Sequence, residues 1–299
     1  MKRSKERGGP TSLASPQPRA RRLTRPYRPW MTEGSERVWV NDMAVVYDSA
    51  LVPAVFHPFA VDLARRVAAL SPASVLELAA GTGVLTAELT EARVASVVAT
   101  DLNAAMVDLG RRRAPDAQWR TADAMDLPSG DAAFEVVTCQ FGVMFLPDKP
   151  RAFQEIRRVL TPGGTFLTSV WGPLGLHEFQ SSVVDATNSL FPDDPPSFLQ
   201  SVVHSYPDPL RISADLKAGG LEPVSIQEVT LEGRTPSASE IVRGYGLGTP
   251  LTAELQARGD LNPVLDAITA ELERRFGAGP IVGRMTALVI EARSPRSSP

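Results

Sequence analysis

The stretch VLELAAGTGVLTAEL, residues 75–89, decides the fold. An apolar run ends on Glu77, the chain passes through Gly81 and Gly83, and Val84, Leu85 and Leu89 then recur at helical spacing. Short apolar runs bounded by glycine read as strands, and the spacing beyond reads as a helix. The glycines let the backbone approach a ligand and take turn angles that other residues resist. The free N–H groups of the helix point at that turn and favour a carboxylate or phosphate. No Gly-Lys-Ser/Thr follows, which disfavours a Walker-type phosphate loop.

Outward from this stretch, strand-like and helix-like segments alternate: SVLELA, VLTAELTEA, VASVVATD, AAMVDLGRRRA, AQWRTAD, FEVVTCQF, PRAFQEIRRVL and GTFLTSVW. The pattern predicts an α/β fold, a mostly parallel Rossmann-like sheet with helices on both faces. Right-handed crossovers bring the loops after the strands to one edge, where functional residues are expected. Before the first strand, helical spacing from Val38 to Leu70, broken by SP at 71–72, predicts two helices. Residues 38–171 thus form the N-terminal helices and the binding core. Residues 172–210 are too long for a tight connection and too apolar for a linker, and predict a helical lid insertion. The core continues over 211–233. A second helical insertion occupies 234–279, and 280–299 carry the last strand and a frayed end.

Composition narrows the class. At 299 residues and 43% hydrophobic content, the chain can bury a full core. No window approaches about 18 uninterrupted apolar residues, so no membrane span is expected, and no secretory signal is visible. A cytoplasmic setting is the expectation. Cys139 is the single cysteine, which rules out an intrachain disulfide framework, and His57, His177 and His204 are too widely spaced to form a local metal motif. Residues 1–37 hold ten Lys/Arg against Glu6, Glu33 and Glu36, leaving 21 Lys/Arg against 31 Asp/Glu elsewhere. The start therefore reads as a disordered basic tail, with Met31 as a second possible start, and the body is acidic.

The chemistry lies in carboxylates spaced after the glycine turn. Asp101 ends the second strand eighteen residues past Gly83, where a carboxylate can accept both hydroxyls of a ribose. That reading leaves nicotinamide dinucleotides and S-adenosylmethionine in contention. Thr86 occupies the place where the dinucleotide pattern wants its third small residue. In RTADAMDLP, Asp123 follows the third strand, where it can accept an adenine amino proton while Ala124 and Met125 border the ring. RRVLTPGGTFLTSVW joins a helix to the fifth strand through a Pro-Gly-Gly turn.

Taken in order, VLELAAGTG, VVATDLNAAMV, ADAMDLP, FEVVTCQFGVMFLPD and RRVLTPGGTFL resemble the class I S-adenosylmethionine-dependent methyltransferases, in the group similar to ubiquinone/menaquinone-biosynthesis (type 11) methyltransferases. The resemblance runs from Val75 to Trp171. It implies a seven-stranded sheet with its last strand antiparallel and S-adenosyl-L-methionine as cofactor. It further implies that Glu77, Gly81 and Gly83 border the methionine moiety, Asp101 the ribose, Asp123 and Ala124 the adenine, and Gln140 the region after the fourth strand. Leu102 is a candidate to flank the adenosine, and Tyr47 matches an N-terminal tyrosine that closes over the donor in similar enzymes. Ala79 departs from the family's first glycine, a change that is tolerable if this residue lies in ordinary backbone space.

Methyl transfer is expected as an in-line displacement onto an O, C or N of a largely apolar small molecule. Much of the catalysis then comes from positioning and exclusion of water. No catalytic base is identified; His177, His204 and His57 are weak candidates, and Tyr206 and Tyr245 weaker. The fourth strand ends in QFGVMF rather than the Asn/Asp-Pro-Pro-aromatic motif of base methylation, and the acidic body agrees that nucleic acid is not the partner. The alternatives are an NAD(P)-binding oxidoreductase, a protein or nucleic-acid methyltransferase, and a non-catalytic adenosylmethionine-binding regulator.

Overall fold

A computed structural model describes residues 41–296. The basic tail expected over 1–37 and the second start at Met31 lie outside the described residues. Seven strands form one sheet in the order β3-β2-β1-β4-β5-β7-β6: β1 (Val75–Glu77), β2 (Val97–Asp101), β3 (Gln118–Thr121), β4 (Phe134–Gln140), β5 (Leu160–Trp171), β6 (Glu222–Thr235) and β7 (Ile281–Arg293). The first five pair in parallel, and β7 runs antiparallel to both β5 and β6. The last strand is therefore the reversed one, as the resemblance implies. β1 is buried along its whole length, Glu77 included, as expected of a strand covered on both faces.

Helices α3 (Val84–Glu91), α4 (Ala104–Arg113) and α5 (Lys149–Val159) cross between the parallel strands. Local chemistry sets their starts. Asn103 caps α4 by accepting the Ala105 and Met106 N–H groups, and Asp148 caps α5 by accepting that of Arg151. Between β5 and β6 lie α6 (Glu178–Leu190) and α7 (Pro209–Ala218); between β6 and β7 lie α8 (Ala238–Leu247), α9 (Leu251–Gln256) and α10 (Leu261–Phe276). The two excursions meet, since α10 packs on both α6 and α8.

The expectation of two helices ahead of β1 is corrected. Helix α1 (Asn41–Val46), a π-wound segment Tyr47–Phe56 and α2 (His57–Ala69) follow one another without a break. Pro53 lies inside the π-wound segment. Proline has no N–H to give and clashes with the preceding turn, and the wider winding absorbs the lost bond without ending the helix. Continuity also revises the reading of membrane spans: by length and composition alone, Asp42–Ala69 is one helix long and apolar enough to cross a bilayer. It is a core helix here. Ala50, Leu51, Val52, Ala54, Val55, Phe59, Leu63 and Val67 are buried, and the helix packs on α3, β6 and α8.

On the outer face of β2 and β3, Trp119 fills the space beneath α4, with its indole N–H donating to the Ala114 carbonyl at 2.9 Å. Gly110 makes this possible, because a Cβ there would stand 2.1 Å from the Trp119 ring. Gly110→Ala should therefore destabilise the protein by about 1–3 kcal/mol through overpacking, although alanine is the better helix former. Urea unfolding of the variant measures the loss, and unchanged stability would contradict this packing.

Candidate active site

Glu77 closes β1 with its side chain buried, and Thr86 on α3 donates a hydrogen bond to the carboxyl at 2.6 Å. Burial pushes this carboxyl up to about 8, and the neighbouring Asp101 charge adds to the rise, while the Thr86 bond opposes it. Glu77 is thus mostly protonated at neutral pH. A cation placed beside it would favour the ionised form.

Between Glu77 and α3 the backbone takes positive φ three times, at Ala79 (50°), Gly81 (56°) and Gly83 (84°). Ordinary backbone at Ala79 is therefore corrected, since this alanine adopts the left-handed conformation at a cost of about 1–2 kcal/mol. Its neighbours are stitched to the sheet. The Leu78 N–H donates to the Thr138 carbonyl and the Ala80 N–H to the Thr100 carbonyl, both at 2.9 Å. The two glycines differ in purpose. A Cβ on Gly81 would meet nothing within 4 Å, so open space lies above it, whereas a Cβ on Gly83 would press on Trp119 at 2.9 Å and on Gly110 at 3.1 Å. Gly83 serves the approach of α4 to the turn, and what it offers a ligand is backbone.

Asp101 faces the same turn from the end of β2. One carboxylate oxygen accepts the Gly81 N–H and the other the Asn103 N–H, each at 2.8 Å. Burial raises its pKa against these backbone bonds, which favour the charged form. Each oxygen keeps a second lone pair for a further donor. Leu102 stands half exposed beside it. Beyond β3, Asp123 accepts the Met125 N–H at 2.8 Å and bridges to Asp126, forming a tight turn that holds the partly buried Ala124. Gln140 closes β4 and donates from Nε2 to the Phe56 carbonyl at 2.9 Å, tying the N-terminal helix to the sheet edge. Tyr47 packs on Phe56 with ring centroids 5.0 Å apart. Its hydroxyl is held well above the usual phenol range by burial and by the charges of Asp101 and Asp48. The structure thus gathers Tyr47, Glu77, Gly81 and Asp101 at one place, with Asp123 and Ala124 one strand further along and Gln140 on the opposite flank.

An aromatic wall continues from Gln140. Phe141, at φ 52°, stacks on Trp171 with centroids 3.5 Å apart and planes 9° apart. Phe56 and Phe59 meet both rings at an angle. On another side of Trp171 lie His177 and His204, both buried, with ring centroids 4.4 Å apart. The His204 Nδ1 meets the Gly172 carbonyl at 2.9 Å. Burial pushes His177 down to about 3 and His204 to about 4; the partner ring lowers His177 further, and facing backbone carbonyls only partly compensate. Both imidazoles are neutral at pH 7. His57 does not join them, because its exposed ring pairs with Glu88 at 3.0 Å. The Tyr206 hydroxyl is taken by Asp215 at 2.7 Å, and Tyr245 is buried. Cys139 is a buried thiol that burial pushes up to about 12. Among the described residues, no group of three or more His, Cys, Asp or Glu is placed to hold a metal ion.

Sequence reading missed Thr86 as the partner of Glu77, the Phe141–Trp171 stack, and the Asp48–Arg113 pair. Arg113 stood at the end of a run of three arginines. Its signal was position, since Met106, Gly110 and Arg113 share one face of α4 and the first two are buried.

Comparison with known proteins bears on the family and the fold. The family model described as a methyltransferase domain matches residues 76–168. The demethylmenaquinone methyltransferase of Beutenbergia cavernae is 32% identical over 167 residues, covering 52% of this chain and 68% of the relative. The malonyl-[acyl-carrier protein] O-methyltransferase of Halorhodospira halophila is 30% identical over 232 residues, covering 61% and 78%. The crystal structure of protein BH2331 from Bacillus halodurans shares the fold at 20% identity and a TM-score of 0.51, covering 79% of this chain and 98% of that one. The ordered motifs, the sheet with its reversed last strand and these relatives agree: the chain belongs to the class I S-adenosylmethionine-dependent methyltransferases, with S-adenosyl-L-methionine as its cofactor.

Proposed function

We propose that the chain methylates an oxygen, carbon or nitrogen of a largely apolar small molecule. The observation that carries this reading is the open space above Gly81, flanked by the buried carboxyl of Glu77 and the partly buried carboxylate of Asp101. A donor with an amino-acid end, a ribose and an adenine fits that cradle. Glu77 and the turn at Gly81 and Gly83 receive the methionine end, Asp101 the ribose hydroxyls, and Asp123, Ala124 and Leu102 the adenine. Tyr47 covers the donor, and Gln140 borders its reacting end. The donor supplies a sulfonium methyl already activated for displacement. The protein's part is to orient the acceptor and exclude water.

The acceptor reading is supported by relatives such as the one named for demethylmenaquinone. An apolar ring such as a demethylated quinone is the first acceptor to test. Transfer of labelled methyl from S-adenosylmethionine into the small-molecule fraction of an extract supports the proposal. Label appearing only in protein or nucleic acid rejects it.

Donor contacts are tested with S-adenosylhomocysteine in a calorimeter. Asp101→Ala should weaken binding by roughly 1.5–3 kcal/mol through loss of charge-assisted bonds, and unchanged affinity removes Asp101 from the site. Because Glu77 holds its proton up to about pH 8 in the free protein, an arriving ammonium group should expel it. Affinity then rises with pH toward 8, and the binding enthalpy varies with the ionisation heat of the buffer; Glu77→Gln should abolish both effects.

The buried imidazoles give a separate signature. Their folded pKa values, about 3 and about 4, lie below the unfolded value of about 6.5, so the unfolded chain binds more protons in between. Their contribution to stability is complete above that value and is lost as pH falls toward 4 for His204 and toward 3 for His177. Urea midpoints should therefore fall as pH is lowered from about 6.5, and His177→Phe should flatten that slope. An unaltered slope would place His177 in contact with solvent.

A further inference from the structure

Arg113, the last residue of α4, divides its guanidinium between two elements. Nη1 donates to both the carbonyl and the Oγ1 of Thr82, each at 3.0 Å. Nη2 sits between the carboxylate oxygens of Asp48, at 2.8 and 2.9 Å. Thr82 is the residue between Gly81 and Gly83, in the middle of the turn that takes positive φ three times. Asp48 adjoins Tyr47 on the π-wound segment, whose Tyr47 is proposed above to cover the donor. Each partner is a little over a quarter exposed, so water screens the pair less than it would an ion pair on open surface.

The turn is held from two sides. Asp101 takes the Gly81 N–H on one side, and Arg113 donates to the Thr82 carbonyl on the other. Two glycines alone would leave this backbone free to sample other angles, and a ligand would then have to order it on binding. The second arm of the same guanidinium ties the ordered turn to the helix that carries Tyr47. The arrangement also balances charge, since the Asp48 carboxylate offsets a cation that would otherwise repel a sulfonium. Lysine cannot reproduce it, because one ammonium is a single point of attachment while the planar guanidinium presents two nitrogens to two partners.

We propose that Arg113 is a positioning residue for the donor site: it sets the glycine turn in its ligand-ready form, and its ion pair with Asp48 is the latch that opens when the donor enters or leaves. The role rests on the donor site proposed above. It involves no contact of Arg113 with the reacting atoms.

The test uses the full chain, S-adenosylhomocysteine as probe, calorimetry for affinity and stopped-flow or surface-based kinetics for rates, with thermal unfolding to confirm folded variants. Arg113→Gln should weaken binding ten-fold or more, and Arg113→Lys should not restore it. Asp48→Asn releases the latch but leaves Arg113 on Thr82. Association and dissociation should then both accelerate several-fold while the affinity changes by less than either rate, a split that general destabilisation does not produce. A folded Arg113→Gln protein that binds within two-fold of wild type overturns the positioning role. If that variant fails to fold, Arg113→Lys and Asp48→Asn decide: wild-type affinity in the first overturns the positioning role, and wild-type rates in the second overturn the latch. Absence of probe binding to the wild-type chain is a different failure, which removes the donor site and this role with it.

Discussion

The carboxylate of Asp101 is the joint on which the binding edge depends. It accepts one N–H from the turn after β1 and another from the residue that caps α4. The same group therefore fixes the path of the glycine turn and the start of the next crossover helix. Its burial raises the free-energy cost of its charge, and the two amides offset part of that cost. A site that must bind hydroxyls thus begins as a site that binds its own backbone. A carboxylate has about four acceptor positions, so it can take a further donor beside these amides.

Much of this edge is legible in the sequence because it depends on local chemistry. Glu77 and Asp101 each end a short apolar run, and Gly81 follows at the spacing of a strand-to-helix turn; all three lie at the carboxyl edge of the sheet. The parallel core follows from alternation of periods alone. Positions with long-range partners are less visible. Nothing local marks Thr86 as the partner of Glu77, and a run of three arginines does not announce that its last member turns inward. Gly83 shows the limit most clearly. It fits the motif for a ligand-facing glycine, yet its missing side chain faces Trp119 and Gly110, thirty-six and twenty-seven positions further along the chain.

Backbone strain marks where packing overrides residue preference. Ala79 and Phe141 both take positive φ, and they lie just beyond the paired strands β1 and β4, where the turn after β1 meets the loop after β4. Gly142 closes the contact, since a Cβ there would come within 2.6 Å of both the Ala79 Cβ and the Cys139 Sγ. The stack of Phe141 on Trp171 and the bond from the Phe141 N–H to the Ser169 carbonyl, at 2.9 Å, hold the second strained residue. Such conformations persist only where surroundings over-determine them, and here that happens at the edge between the donor space and the aromatic wall.

Strands β6 and β7 are zipped along thirteen residue pairs, from Glu222 opposite Arg293 to Thr235 opposite Ile281. The chain leaves the sheet at Thr235, builds α8, α9 and α10, and returns at the position directly across the ladder. Because the ladder itself holds the two ends together, lengthening this excursion adds only slowly to its closure entropy. Nor does it shift the register of any strand. The excursion can thus grow between α8 and its return to β7 without moving the sheet, while α8 itself stays tied to the segment that carries Tyr47.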